Sequence, residues 1–148
     1  MSQLNGFFAL RTPRDLRDKL EVDFNRLTSA DQASKEAQYA AFDFFVCAEH
    51  LPDWLCKTVG GSRTSHRSYP EGALVSHIAN GAKHFRVEDP RHTTVKDTIV
   101  LAGAFQASAF QCSTFQVPRL MVELENGSTA DVVDLATKVI EHWRKALP

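Results

Sequence analysis

Apolar positions along the chain fall into four helical patterns and one alternating pattern, each bounded by residues that open or close such an element. Leu16, Leu20, Asp23/Phe24 and Leu27 recur at helical spacing behind Thr12 and Pro13. Thr12 suits an N-cap and Pro13 a first turn, so the spacing predicts a helix over 13–28. Ser29 followed by Gln32 has the form of a capping box opening a second, longer helix. There Ala33, Ala37, Ala40, Ala41, Phe44, Phe45, Ala48, Leu51 and Leu55 form one wide apolar face. At about 100° per residue Phe42 and Val46 fall on the far side, which predicts a central helix that is apolar nearly all round. Pro52 is expected to kink that helix or restart it at Asp53. Residues 57–70 carry two adjacent glycines and several hydroxyl residues and read as a loop. A third helix over 71–87 carries Leu74, Val75, Ile78, Ala82 and Phe85 inward and ends at Glu88-Asp89-Pro90.

The pattern then changes. Thr93–Val117 is rich in Thr, Val, Ile, Phe and Ser, the composition of strands, but Phe105, Phe110 and Phe115 recur every five residues and match neither regular period. Leu120, Val122 and Leu124 alternate with Met121, Glu123 and Glu125 before Asn126-Gly127, the sign of a strand entering a tight turn. Ser128 or Thr129 is the expected cap of a closing helix with Val132, Leu135, Ala136, Val139, Ile140 and Trp143 inward. The fold class is therefore α+β: mainly a helical bundle of three N-terminal helices, with a small antiparallel sheet or hairpin and a closing C-terminal helix.

Composition narrows the class of protein. The chain has 148 residues, enough for one domain, and its charge is −1 from 17 Lys+Arg and 18 Asp+Glu. That balance argues against a general polyanion binder. No apolar run approaches a membrane span, and Leu4–Leu10 is too short and too weakly flanked for a secretion signal. Cys47, Cys56 and Cys112 are an odd number without CxxC spacing and read as small core hydrophobes in a reducing, cytoplasmic setting.

Candidate chemistry lies on the second and third helices. Asp43, His50 and Trp54 fall within about 40° of one another on one polar stripe, beside Cys47, and His77, Asn80 and His84 cluster likewise on the other helix. If these helices pair antiparallel, one carboxylate, three imidazoles and a carboxamide meet at one seam. Such a seam could be structural, fixing helix register; it could serve general acid–base chemistry on a phosphodiester or ester; or it could hold zinc, iron or manganese. The members of each pair are seven residues apart, about 10.5 Å of helical rise, so both cannot bind one ion. No metal and no cofactor is expected. Lys57, Arg63, His66 and Arg67 lie among glycines and serines, where amides and guanidinium groups could hold a phosphate. The loop lacks Walker spacing, and a solvated loop is the plainer expectation.

The stretches Asp43–Trp54 and Ile78–Phe85 resemble those of a family of small uncharacterised bacterial and phage proteins, in which an Asp…His…AspTrp helix precedes one ending in Asn-x-x-Lys-His. The Glu125-Asn126-Gly127 turn and Trp143 in the closing helix fit the same pattern. More loosely, the helical hairpin and its terminal Lys-His resemble HEPN-like domains, many of which are metal-independent ribonucleases of defence and toxin–antitoxin systems. The HEPN signature is an Arg, four to six residues, then a His on one helix. Arg63 and His66 are closer than that, Arg67 and His77 farther, and Glu88-Asp89-Pro90 lies between Arg86 and His92.

Two functions follow as expectations. The first is a small cytoplasmic interaction protein that binds a protein or RNA partner without turnover, in the phage or defence setting the resemblance implies. The alternative is a HEPN-like ribonuclease with His50, His84, Lys83 and Asp43 in catalysis and Trp54, His77, Asn80, Arg63 and Arg67 in binding. Thr98–Gln116 holds Phe105, Phe110 and Phe115 without one charged residue, which points to a homodimer through this segment with Phe110 as anchor.

Overall fold

A computed structural model describes residues 4–84, 88–101 and 117–148. Helix α1 spans Pro13–Ser29 and opens on a capping box: the Asp15 amide donates to Thr12 Oγ1 (3.1 Å) and the Thr12 amide to Asp15 Oδ2 (2.8 Å). Those bonds, the Arg11 amide foremost, hold the Asp15 carboxyl below its ordinary value. Helix α2 spans Lys35–Thr58 and starts later than the pattern predicts, because Ser34 supplies the cap, accepting from the Ala37 amide (3.2 Å). Ser29 ends α1 instead of opening α2. Gln32, the expected partner in a capping box, donates from Nε2 to the carbonyls of Leu27 (2.7 Å) and Ala30 (3.2 Å), closing the preceding helix. Nor does α2 restart at Asp53. It runs through Pro52, and the burial of Leu51, Pro52 and Leu55 offsets the amide hydrogen bond that proline cannot make.

The 57–70 loop contains one helical turn, α3, Arg63–His66, capped by Ser62. Helix α4 spans Gly72–Lys83 and turns extended at His84, short of the expected end; residues 85–87 lie outside the described part. A Cβ at Gly72 would lie 2.0 Å from the Arg67 carbonyl oxygen, so the chain can turn into α4 this closely only at glycine.

Strands β1 (Val95–Leu101), β2 (Arg119–Leu124) and β3 (Thr129–Asp131) form an antiparallel sheet in that order. Thr98 pairs with Val122 and Met121 with Asp131, with an irregularity between Val95 and Asp97. The alternation in β2 holds, with Leu120 and Val122 buried, and Gly127 takes φ +82° in the turn that follows. The short β3 occupies the place expected to begin the last helix. Asp131 rather than Ser128 or Thr129 therefore caps α5 (Val132–Ala146), accepting from the Asp134 amide (3.0 Å). All six expected inward residues of α5 are buried. The fold is α+β and mainly helical, as the pattern predicts. No described helix is long and apolar enough to cross a membrane.

The core lies where α1, α2, α5 and β2 meet. Leu20, Leu27, Phe44, Leu51 and Ile140 are fully buried there, and Phe44 packs edge-on against Phe45 with ring centroids 5.2 Å apart. Helix α2 is central, but its apolar surface is not buried all round: Tyr39 and Phe42 are about half exposed. The expected dimer anchor and its neighbours, Phe105, Phe110 and Phe115, lie outside the described residues, as does Cys112.

Candidate functional site

Helices α2 and α4 do pack together, yet the two predicted stripes do not form their seam. Asp43 faces α1, where its Oδ2 accepts from Arg26 Nη1 (2.8 Å). The same guanidinium bonds Glu36 and reaches Asp23, a buried carboxylate that also pairs with Lys19. Burial pushes the Asp23 carboxyl up, against the pull of Lys19. His50, seven residues beyond Asp43, is exposed on the same stripe. Trp54 is half-buried against the core. Lys83 and His84 are exposed at the end of α4, and Asn80 donates to the Ser76 carbonyl of its own helix (2.9 Å).

The contact that joins α2 to α4 is made by residues one position earlier than those predicted. Glu49 precedes His50 and Ser76 precedes His77, and Ser76 Oγ donates to Glu49 Oε1 (2.9 Å). A one-residue offset on a helix is a rotation of about 100°, so each histidine points elsewhere while its neighbour fills the seam. Glu49 is buried, and burial pushes its carboxyl up despite Arg67. Arg67 Nη2 donates to the same carboxylate, and Arg63 pairs with Asp53. The two arginines expected to hold a phosphate are thus engaged by carboxylates of α2. His66 closes the loop on itself through the Gly60 carbonyl (2.8 Å).

His77 keeps a part in a different site. Its side chain, 7% exposed, leaves α4 toward the start of β1, where Nδ1 accepts from the amides of Thr94 (3.1 Å) and Val95 (3.0 Å). Two N–H donors on Nδ1 put the ring proton on Nε2 and leave Nδ1 no room for another. Burial pushes the imidazole below its ordinary value and the nearby His92 adds to this, their ring centroids 5.4 Å apart. His77 is therefore a neutral donor through Nε2–H.

His77 and His92 line a groove of about 760 Å³ between α2, α4 and the sheet. Phe42, Phe45, Ile78, Ala82, Val95 and Leu120 supply much of its wall. Its charged lining is Lys96, Asp97 and Glu125, and Lys96 already donates to Glu123 (3.0 Å). The groove can thus take an apolar body and offer it one fixed hydrogen-bond donor, with the Asp97 and Glu125 carboxylates on the wall opposing an anion. Thr94 and Glu49 carry no role in the sequence reading, and His92 enters it only as the partner of Arg86 in the HEPN spacing. The one sequence signal for Glu49 is its place as an acidic residue four positions after Phe45, on the apolar face.

Among the described residues no group of three or more His, Cys, Asp or Glu side chains is arranged to hold a metal ion. No family model, no curated protein and no solved structure matches this chain.

Proposed function

We propose that the chain is a binding module whose groove between α2, α4 and the sheet takes a neutral, largely apolar ligand or partner segment offering a hydrogen-bond acceptor. The observation that carries this reading is His77: a nearly buried imidazole, held as the Nε2–H tautomer by two backbone amides, lines an apolar groove of about 760 Å³. That volume lies within the range of ordinary ligand sites, about 300–1,000 Å³. The engagement of Asp43 by Arg26, and of Arg63 and Arg67 by Asp53 and Glu49, favours binding over the ribonuclease alternative. A cytoplasmic location belongs to the same proposal and suits the free thiols of Cys47 and Cys56. An RNA partner and a phage or defence setting rest on the resemblance alone. A homodimer through Thr98–Gln116 also remains a proposal; its described part includes the exposed Val100 and Leu101.

Two dyes of similar size and opposite electrostatic character test the groove. Nile red, neutral and apolar, should bind with a rise and blue shift of emission, and the anionic anilinonaphthalene sulfonate should bind at least tenfold more weakly. Ile78→Asp should remove the Nile red signal while the far-ultraviolet circular dichroism stays unchanged. Equal binding of the two dyes, or a Nile red signal indifferent to Ile78→Asp, would refute this reading. Cleavage of single-stranded RNA that disappears in His84→Ala would restore the ribonuclease.

A further inference from the structure

The segment Leu4–Leu10 carries three exposed large apolar side chains, two of them the most exposed described. Leu4 is 84% exposed, Phe8 79% and Phe7 64%. They stand on a tight turn closed from both sides, with the Phe7 amide donating to the Leu10 carbonyl (2.8 Å) and the Leu10 amide to the Phe7 carbonyl (2.9 Å). Of the two central residues, Phe8 alone has a positive φ, +48°. That is the first central position of a type II′ turn, where glycine is the residue without steric cost. A phenylalanine held there gains no burial within its own fold, and strain of this kind persists where it serves a function. The effect is to hold the Phe8 ring outward at the tip, edge-on to Phe7 with centroids 4.5 Å apart.

We infer that this turn is a hook that inserts into the interface of an anionic lipid surface. Three features choose that occupant. The base of the turn is closed by its own backbone bonds and Arg11 Nη1 satisfies the Asn5 carbonyl, so insertion no deeper than the hydrated interface, where water still serves the Phe8 and Ala9 peptide groups, leaves few bare polar groups. Arg11 and Arg14, which follow the turn, are exposed and, among the described residues, join no ion pair, while the Asp15 carboxylate beside them is tied to the Arg11 and Thr12 amides. Apolar tip and cationic collar are the two ingredients of interfacial anchoring to anionic lipid. Third, at about 150–250 Å² for each aromatic side chain the two rings offer roughly 300–500 Å², well short of the roughly 800 Å² per partner of a stable protein interface. The cytoplasmic leaflet, rich in anionic lipid, is the surface of this chemistry that a cytoplasmic protein meets. The inference stands apart from the groove and does not depend on it.

Vesicle sedimentation with the full chain tests it. Protein should pellet with vesicles of phosphatidylcholine mixed with phosphatidylglycerol and stay in solution with phosphatidylcholine alone. Arg14→Glu should weaken binding by at least about fivefold, from the contribution of one cation near such a surface. The double variant Phe7→Ser, Phe8→Ser should abolish it, with an unchanged thermal unfolding curve because both rings are already exposed. Phe8→Gly, which relieves the backbone while removing the ring, separates strain from insertion: it should fold at least as well and bind less. Absence of binding, equal binding to both vesicle types, or binding indifferent to the phenylalanine pair would overturn the inference. So would a wild-type dimer, seen by light scattering without vesicle binding, that the phenylalanine pair dissolves, since the hook would then serve protein contact.

Discussion

Helix α2 has two working sides, and they solve opposite problems. Toward α1 and α5 it is sealed: Ala37, Ala40, Phe44, Ala48 and Leu51 have no exposed surface, and the polar groups nearby are neutralised in pairs or networks, as with Asp23 between Lys19 and Arg26. Toward α4 and the sheet it is open: Phe42 is about half exposed, Ile78 is partly buried, and His77 presents a bound, neutral imidazole at the groove. Function in this fold belongs to the open side. Asp23 and Asp43 on the sealed side have their partners already, so their charge serves packing and register. On the open side a polar group is fixed at one nitrogen, leaving the other edge of the ring for a ligand.

The comparison is broken most directly by truncating one ring on each side. Phe44→Ala should cost about 3–5 kcal/mol, the range for removing a buried aromatic side chain, read as a lower urea midpoint at unchanged slope. Phe42→Ala should cost under about 1 kcal/mol, as a half-exposed substitution does, while weakening Nile red binding. Equal costs would mean that the groove is filled and the open side is core.

Between those extremes lies the Glu49–Arg67–Ser76 contact that ties α2 to α4. Glu49→Gln keeps the shape and an acceptor for Ser76 but removes the charge that Arg67 meets. Burial opposes the charge that is removed, so the cost should stay near about 1 kcal/mol, below the range for hydrogen bonds to a charged group. Ser76→Ala should cost less, because the carboxylate keeps Arg67.

The next effect is read against pH. His77 has its folded value below the ordinary one, so the unfolded chain takes up the proton first as pH falls. Its contribution is fully present above the unfolded value of about 6.5 and is lost as pH falls through that value toward the folded one. Glu49 and Asp23, both raised by burial, act with the opposite sign: their contribution is present below the unfolded carboxylate value and is lost as pH rises through the folded one. His92 and Glu125 are the charged or titratable groups acting on His77. His77→Gln retains an acceptor for the two amides and does not titrate. The stability difference between wild type and His77→Gln should therefore be largest above about pH 7 and narrow as pH falls below about 6.5. A constant difference would mean that the imidazole is not held neutral by those amides.

Much of the architecture was legible because it rests on local rules. The capping residue Thr12, the alternation of Leu120 and Val122, and the stripe Val132–Trp143 each declare their element without tertiary help. The failures have a common cause. Ser29 and Gln32 have the residue types of a helix start, but Gln32 spends its amide on the carbonyls of the helix before it. Asp43, His50, His77 and His84 share helical phase, but phase says only which residues point together, not which neighbouring helix they meet. Glu49 is not legible from the sequence, because an acidic residue beside an apolar face has the pattern of a solvated border, and only the approach of Arg67 and Ser76 makes it a buried partner.

Asp43 sharpens that last point with the smallest expected effect. From sequence it is a candidate catalytic carboxylate; in the structure it is one of three carboxylates around Arg26, in a pair whose side chains are 38% and 40% exposed. Exposed ion pairs are worth about 0–1 kcal/mol because water solvates both partners nearly as well. Asp43→Ala should therefore lower stability by less than about 1 kcal/mol, since Arg26 keeps Glu36 and Asp23. Arg26→Ala should cost more, because Asp23 is buried and would retain only Lys19. A double-mutant cycle between positions 26 and 43, by urea unfolding at low and high salt, isolates the pair and should show its coupling shrink as salt rises. A coupling that salt leaves intact would place Asp43 in a dry environment, and the sealed side of α2 would then reach further toward solvent than its exposure implies.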